Sequence, residues 1–215
     1  NDAVARVMAR SSEALGEDLE KLISEGPAEK LGLTVNTQPV MLACSVAFYE
    51  AALEAGIPEP AVMAGHSLGE YSALTAAGAF RLEDAVPLVR FRAQAMQEAV
   101  PVGLGGMAAI IGLAARLAEV AISEPRVPVI ANVDAAQHGS ADSIRDALAR
   151  QACSPVQWVK TMHEMEKLGV THMIECGPGK VLTGLARRCV PSIPCYPVHS
   201  AETLEAALQN LSAAG

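Results

Sequence analysis

Aromatic residues make up only 3% of this 215-residue sequence, and there is a single tryptophan. A core without aromatic bulk has to be assembled from Ala, Val, Leu and Ile, which the 51% hydrophobic share supplies. That favours a parallel sheet covered by helices over an aromatic-rich sandwich. Basic runs are missing as well. The net charge is -8, with no interleaving of basic and aromatic residues, which excludes nucleic-acid binding and argues against docking on anionic membranes. No apolar stretch approaches a membrane span, and the opening Asn1-Asp2-Ala3 is not a signal peptide, so a cytoplasmic protein is expected. Paired Cys-x-x-Cys motifs are absent. The five cysteines (Cys44, Cys153, Cys176, Cys189, Cys195) are odd in number and scattered, and read as reduced thiols. No metal site and no resident cofactor are expected.

What the sequence does have is Gly65-His66-Ser67-Leu68-Gly69. Four apolar residues, Ala61-Val62-Met63-Ala64, lead in as a short buried strand, and a helical pattern follows from Glu70 through Ala77. A serine flanked by glycines two positions away on either side, at a strand-to-helix junction, is a nucleophile elbow. Both glycines are expected to be needed, because a Cβ would meet neighbouring backbone where the strand reverses. The turn lifts the Ser67 hydroxyl above the N-terminus of the helix. Free N–H groups there, that of Leu68 among them, suit an oxyanion. This predicts serine acyl transfer or hydrolysis.

The rest of the chain alternates helix and strand. Helices broken by Gly16 are expected over residues 3–24, and Asn36-Thr37-Gln38-Pro39 is placed to start an apolar helix running to about Ala55. After the elbow helix and Gly78, a helix runs from about Leu82 to Ala99. Met107 to Gly112 reads as a strand, Ala114 to Ile122 as a helix and Val127 to Ala131 as a strand. Helices at Asp142–Gln151 and about Val156–Leu168 follow, the second closed by Gly169. His172–Glu175 reads as a strand and Val181–Arg188 as a helix. The order specifies an α/β fold, a mainly parallel sheet flanked by helices around an α/β-hydrolase-like core.

Several of these segments share a pattern. Gly65-His66-Ser67-Leu68-Gly69-Glu70-Tyr71-Ser72-Ala73-Leu74 resembles the nucleophile motif of malonyl-CoA:acyl carrier protein transacylases. Thr37-Gln38-Pro39, Met96-Gln97-Glu98-Ala99-Val100-Pro101, Ser154-Pro155-Val156-Gln157-Trp158 and Glu175-Cys176-Gly177-Pro178-Gly179-Lys180-Val181-Leu182 follow in that family's order. The resemblance extends from about residue 15 to 190. It implies that Ser67 takes a malonyl group from malonyl-CoA and passes it to the pantetheine thiol of an acyl carrier protein, in fatty-acid biosynthesis. Coenzyme A is then part of a substrate rather than a cofactor. A monomer is expected.

A malonyl group carries a free carboxylate, which a planar guanidinium grips at two points. Arg92 lies 25 residues after Ser67, where resembling enzymes carry their carboxylate-binding arginine; the competing reading is a surface arginine like Arg90. A general base is harder to find. His66 adjoins Ser67 and points away from it, and His138, His163, His172 and His199 read as solvated or structural. In resembling enzymes the catalytic histidine, together with a small ferredoxin-like subdomain, falls between the strands like Met107–Gly112 and Val127–Ala131. Here Leu113 runs straight into Ala114-Ala115-Arg116-Leu117, so a missing segment, with a separation between Leu113 and Ala114, is expected. The opening strand and Gly-Gln-Gly-Ser-Gln loop of that family are expected to precede Asn1 in a longer enzyme. Gln151 matches a glutamine whose backbone carbonyl orients the histidine in the family. Two other readings stay open: a serine hydrolase or thioesterase, and a non-catalytic carrier-binding remnant.

Overall fold

The computed structural model describes the backbone of residues 1–98 and 105–214, and the side chains of residues 1–98 and 111–213. The chain opens with α1 (Asp2–Leu15), α2 (Leu19–Glu25), α3 (Ala28–Gly32) and the long α4 (Thr34–Glu54). The Asn1 side chain accepts from Ala3 N–H at 2.9 Å and so starts α1, which Gly16 closes at φ 64°. Strand β1 (Met63–Ala64) then delivers the chain to α5 (Leu68–Ala76), followed by α6 (Leu82–Glu98) and α7 (Gly105–Glu119). The remaining elements are β2 (Val129–Ile130), α8 (Ala141–Gln151), α9 (Trp158–Lys167), β3 (Met173–Cys176), α10 (Val181–Cys189), β4 (Cys195–Val198) and α11 (Ala201–Ala214).

The α/β class holds, with the parallel pairing confined to short strands. Among the described residues, β1 pairs with β2 (Met63 with Val129, Ala64 with Ile130), and β3 pairs with β4 from Met173–Cys195 to Cys176–Val198. The β1/β2 pair separates two cores. Met63 and Val129 face a large cluster built on Leu42, Tyr71, Leu88, Leu113 and Leu117, while Ala64 and Ile130 face Trp158, Met162 and Val190. That split is the period-2 alternation of a strand buried on both sides. The elbow emerges at the seam between them.

Three expectations need correction. Helix α4 starts at Thr34, not at Thr37, and Pro39 lies inside it. Proline cannot donate to the carbonyl four residues back, and Arg90 Nε donates to that Val35 carbonyl instead, at 3.3 Å. Thr37 does not cap; its hydroxyl donates back to the Leu31 and Leu33 carbonyls at 2.6 and 3.1 Å. Met107–Gly112 is not a strand but the first half of α7. Leu113, Leu117 and Val120 are buried, whereas Ala115, which would share the face of Leu113 and Leu117 in a strand, is exposed; the i, i+4, i+7 spacing is that of a helix. Leu113 and Ala114 are accordingly consecutive residues of one continuous helix, and the separation expected between them is not there. Finally, α3, β4 and α11 have no counterpart in the sequence reading, and Ala99-Val100-Pro101 lies outside the described residues.

Candidate active site

The elbow has the geometry its sequence demands. Ser67 sits at φ 51°, ψ -107°, one of two non-glycine residues with positive φ among the described residues. Such a conformation costs on the order of 1–3 kcal/mol and persists only where the surroundings enforce it. Only one of the two flanking glycines is required by space. A Cβ on Gly65 would lie 2.0 Å from the backbone carbon and oxygen of Gly69, whereas one on Gly69 would meet nothing within 4 Å. We therefore expect Gly65→Ala to cost about 3 kcal/mol or more, read as a drop in the urea midpoint, and Gly69→Ala to leave the midpoint nearly in place. Equal midpoints for the two variants would refute this asymmetry.

Four side chains build the site around Ser67, three of them from distant segments and one, Glu70, from one turn along α5. Asn132, fully buried just past β2, accepts the Ser67 N–H at 2.6 Å and donates Nδ2 to the Gly65 carbonyl at 2.7 Å. Gln151, at the end of α8, donates Nε2 to the Ser67 carbonyl at 3.2 Å and to Glu70 Oε2 at 2.7 Å. Glu70 also accepts the Asn132 N–H at 2.9 Å. Burial raises its pKa, while the bonds from Gln151 and Asn132 pull it down. The fourth side chain is Arg92.

Arg92 is 2% exposed. Its Nη2 donates to Ser67 Oγ at 3.0 Å and to Gln151 Oε1 at 3.2 Å, and Nη1 donates to Gln38 Oε1 at 2.8 Å. The guanidinium lies 5.3 Å from the Tyr71 ring centroid, over the face of the ring. Arg90, two residues earlier, points elsewhere and pairs with Glu17 at 2.6 Å. The choice between a site arginine and a surface arginine is thus decided by burial: Arg92 makes no ion pair among the described residues. A buried cation held only by neutral oxygens has its attraction for an anion unspent.

The other expected residues fall as follows. Leu68 opens α5, and its N–H makes no hydrogen bond with the described residues, leaving it free beside Ser67. The Ser67 N–H itself is taken by Asn132. The Gln151 backbone carbonyl is not turned toward any histidine; it accepts the Ser154 N–H at 3.3 Å, and it is the Gln151 side chain that reaches the site. All five histidines lie away from the Ser67 hydroxyl in hydrogen-bonding terms. His66 stands edge-on to Trp158 at 5.4 Å, with its pKa lowered by burial; His138 pairs with Asp134 at 3.3 Å and His163 with Glu166 at 3.6 Å. His172 stacks on Tyr196, and His199 joins the start of α11 through its backbone N–H. The Gly177–Gly179 turn is structural: the Glu175 carboxylate ahead of it accepts the Leu182 and Thr183 N–H groups that start α10.

A serine on a strained strand-to-helix turn, with a buried arginine on its hydroxyl, is an arrangement suited to acyl transfer. The chain belongs to the acyl transferase domain family, whose model matches residues 1–165. It is similar to the malonyl CoA-acyl carrier protein transacylase of Escherichia coli K12, at 37% identity over 96% of this chain and 91% of the relative. Among solved structures, the acyl-carrier-protein S-malonyltransferase of Burkholderia pseudomallei 1710b is 36% identical with a TM-score of 0.88, covering 97% of this chain and 92% of that one. A malonyl-transacylase in complex with its type II PKS acyl-carrier protein is 32% identical with a TM-score of 0.91, over 98% and 92%. The alignment with the E. coli relative runs over 280 residues against 215 in this chain, so that relative carries internal residues this chain lacks.

Proposed function

We propose that this chain transfers a malonyl group from malonyl-CoA to the pantetheine thiol of an acyl carrier protein, in fatty-acid biosynthesis. Ser67 Oγ bonds to the malonyl thioester carbon, the C–S bond breaks, and coenzyme A leaves as the thiol. The carrier thiol then attacks the malonyl ester and Ser67 recovers its proton. The observation that carries the reading is Arg92, buried and 3.0 Å from Ser67 Oγ. A carboxylate one methylene from the reacting carbonyl meets that guanidinium when the carbonyl is at the serine. Leu68 N–H supports the developing oxyanion from the helix start.

The reading extends to a monomer that works in the cytoplasm without a metal or resident cofactor; among the described residues no helix is long and apolar enough to cross a membrane. We place the shortening relative to the longer relatives at α7, where Leu113 runs into Ala114-Ala115-Arg116-Leu117 and where the resemblance puts a ferredoxin-like subdomain and the histidine. With no histidine on Ser67 Oγ, deprotonation limits acyl uptake by these 215 residues, at a rate orders of magnitude below that of a serine–histidine pair. Intact-mass spectrometry of the chain with malonyl-CoA, over minutes to hours, tests the assignment. A malonyl adduct that acyl carrier protein discharges onto its own thiol supports it. An adduct that water removes and the carrier does not take makes the chain a hydrolase, and no adduct at all makes it a non-catalytic member.

A further inference from the structure

Glu70 is 2% exposed, yet it touches neither Ser67 Oγ nor the Arg92 guanidinium. A buried carboxylate is costly unless N–H groups satisfy it. Here one oxygen, Oε2, takes both the Gln151 Nε2–H and the Asn132 N–H. Each donor belongs to a residue that holds a different part of the site. Gln151 reaches Arg92 through Oε1, and Asn132 grips the elbow on both sides of the turn, at the Ser67 N–H and the Gly65 carbonyl.

We propose that Glu70 is a positioning residue with two arms: through the Gln151 carboxamide it fixes Arg92 for the acyl carboxylate, and through Asn132 it fixes the nucleophile. The inference rests on the reading of Arg92 given above. Its physical basis is the direction of an amide. A carboxamide has an acceptor end and a donor end, and a carboxylate accepts only from the donor end. With Nε2 held by Glu70, Oε1 is obliged to face the Arg92 Nη2–H. Without the carboxylate only the longer bond to the Ser67 carbonyl, 3.2 Å, still holds Nε2 against a turn that would bring N–H groups toward the guanidinium, which repels them. Burial pushes the Glu70 pKa up, and the two N–H bonds pull against that effect.

The test is acyl-serine formation on the full 215-residue chain from malonyl-CoA and from acetyl-CoA, followed by intact mass, with folding of each variant checked by near-ultraviolet circular dichroism. Gln151→Leu is expected to slow malonyl uptake about tenfold more than acetyl uptake, mainly by raising the malonyl-CoA concentration needed for half-maximal rate. Asn132→Ala is expected to lower the limiting rate for both donors alike. Glu70→Gln keeps a carbonyl for both N–H groups and is expected to retain more of the malonyl preference than Glu70→Ala. Should Glu70→Ala not fold, the Gln151→Leu and Asn132→Ala pair still decides. An unchanged malonyl-to-acetyl ratio in Gln151→Leu overturns the positioning role. If Arg92→Ala shifts that ratio and Gln151→Leu does not, the role falls while the reading of Arg92 stands. If neither variant shifts it, or if the unaltered chain takes up no acyl group, the reading of the site falls and the positioning role with it.

Discussion

Ser67→Ala is expected to remove the acyl adduct altogether. No other described hydroxyl combines a positive-φ turn, the start of a helix and a guanidinium at hydrogen-bond distance. Loss of a serine nucleophile elsewhere leaves only the residual acceleration given by binding and oxyanion contacts. The variant should fold normally, because the Ser67 backbone is held through its N–H and carbonyl by Asn132 and Gln151, neither of which needs the hydroxyl. The check is intact-mass spectrometry after malonyl-CoA exposure: an adduct of malonyl mass that survives in Ser67→Ala would place the nucleophile elsewhere.

Arg92→Ala should change which acyl group is taken. The charge-assisted pair between a guanidinium and a carboxylate in a partly desolvated site is worth about 3 kcal/mol, so malonyl uptake should fall by roughly two orders of magnitude. Acetyl uptake should fall much less, or rise. Two opposing structural effects bear on the acetyl rate: removing Arg92 frees the Ser67 hydroxyl of one donor, and it strips Gln38 and Gln151 of a shared partner. Comparable losses for malonyl-CoA and acetyl-CoA, measured as second-order acylation rates, would show that Arg92 supports the elbow and does not select the acyl group.

The legible part of this molecule is the part whose cause is local. The elbow could be read because Gly65 must lack a Cβ within a five-residue turn, and the close of α1 because Gly16 takes a left-handed conformation. Arg92 was readable only through the family pattern; its spacing from Ser67 does not separate it from Arg90, and burial does. Gln38, Glu70 and Asn132 were not assigned to the site, although Gln38 and Glu70 lie within quoted motifs. Nothing in a one-dimensional string shows that the end of β2, the start of α4 and the end of α8 meet. A polar Asn132 directly after an apolar strand was the available hint. The strand expected at Met107–Gly112 failed for a different reason: a short apolar run carries no period of its own, and the pattern that decides it begins at Leu113. In β4, Pro197 inside a four-residue segment hid a strand that pairs only on one side among the described residues.

Strands of two residues are little support for a turn held in a strained conformation. The register pairs Ala64 with Ile130 and ends there. One step further along, Asn132 presents an acceptor to the Ser67 N–H and a donor to the Gly65 carbonyl, the same complement of groups that a continuing parallel strand would offer. Gln151 adds a donor to the Ser67 carbonyl. The sheet is in effect prolonged by carboxamides, with side chains acting as rungs where the main chain has run out. Such a rung can be exchanged by a single codon change, which a backbone rung cannot. The stiffness of the nucleophile's own peptide is thereby open to adjustment by point substitution, separately from the fold that carries it.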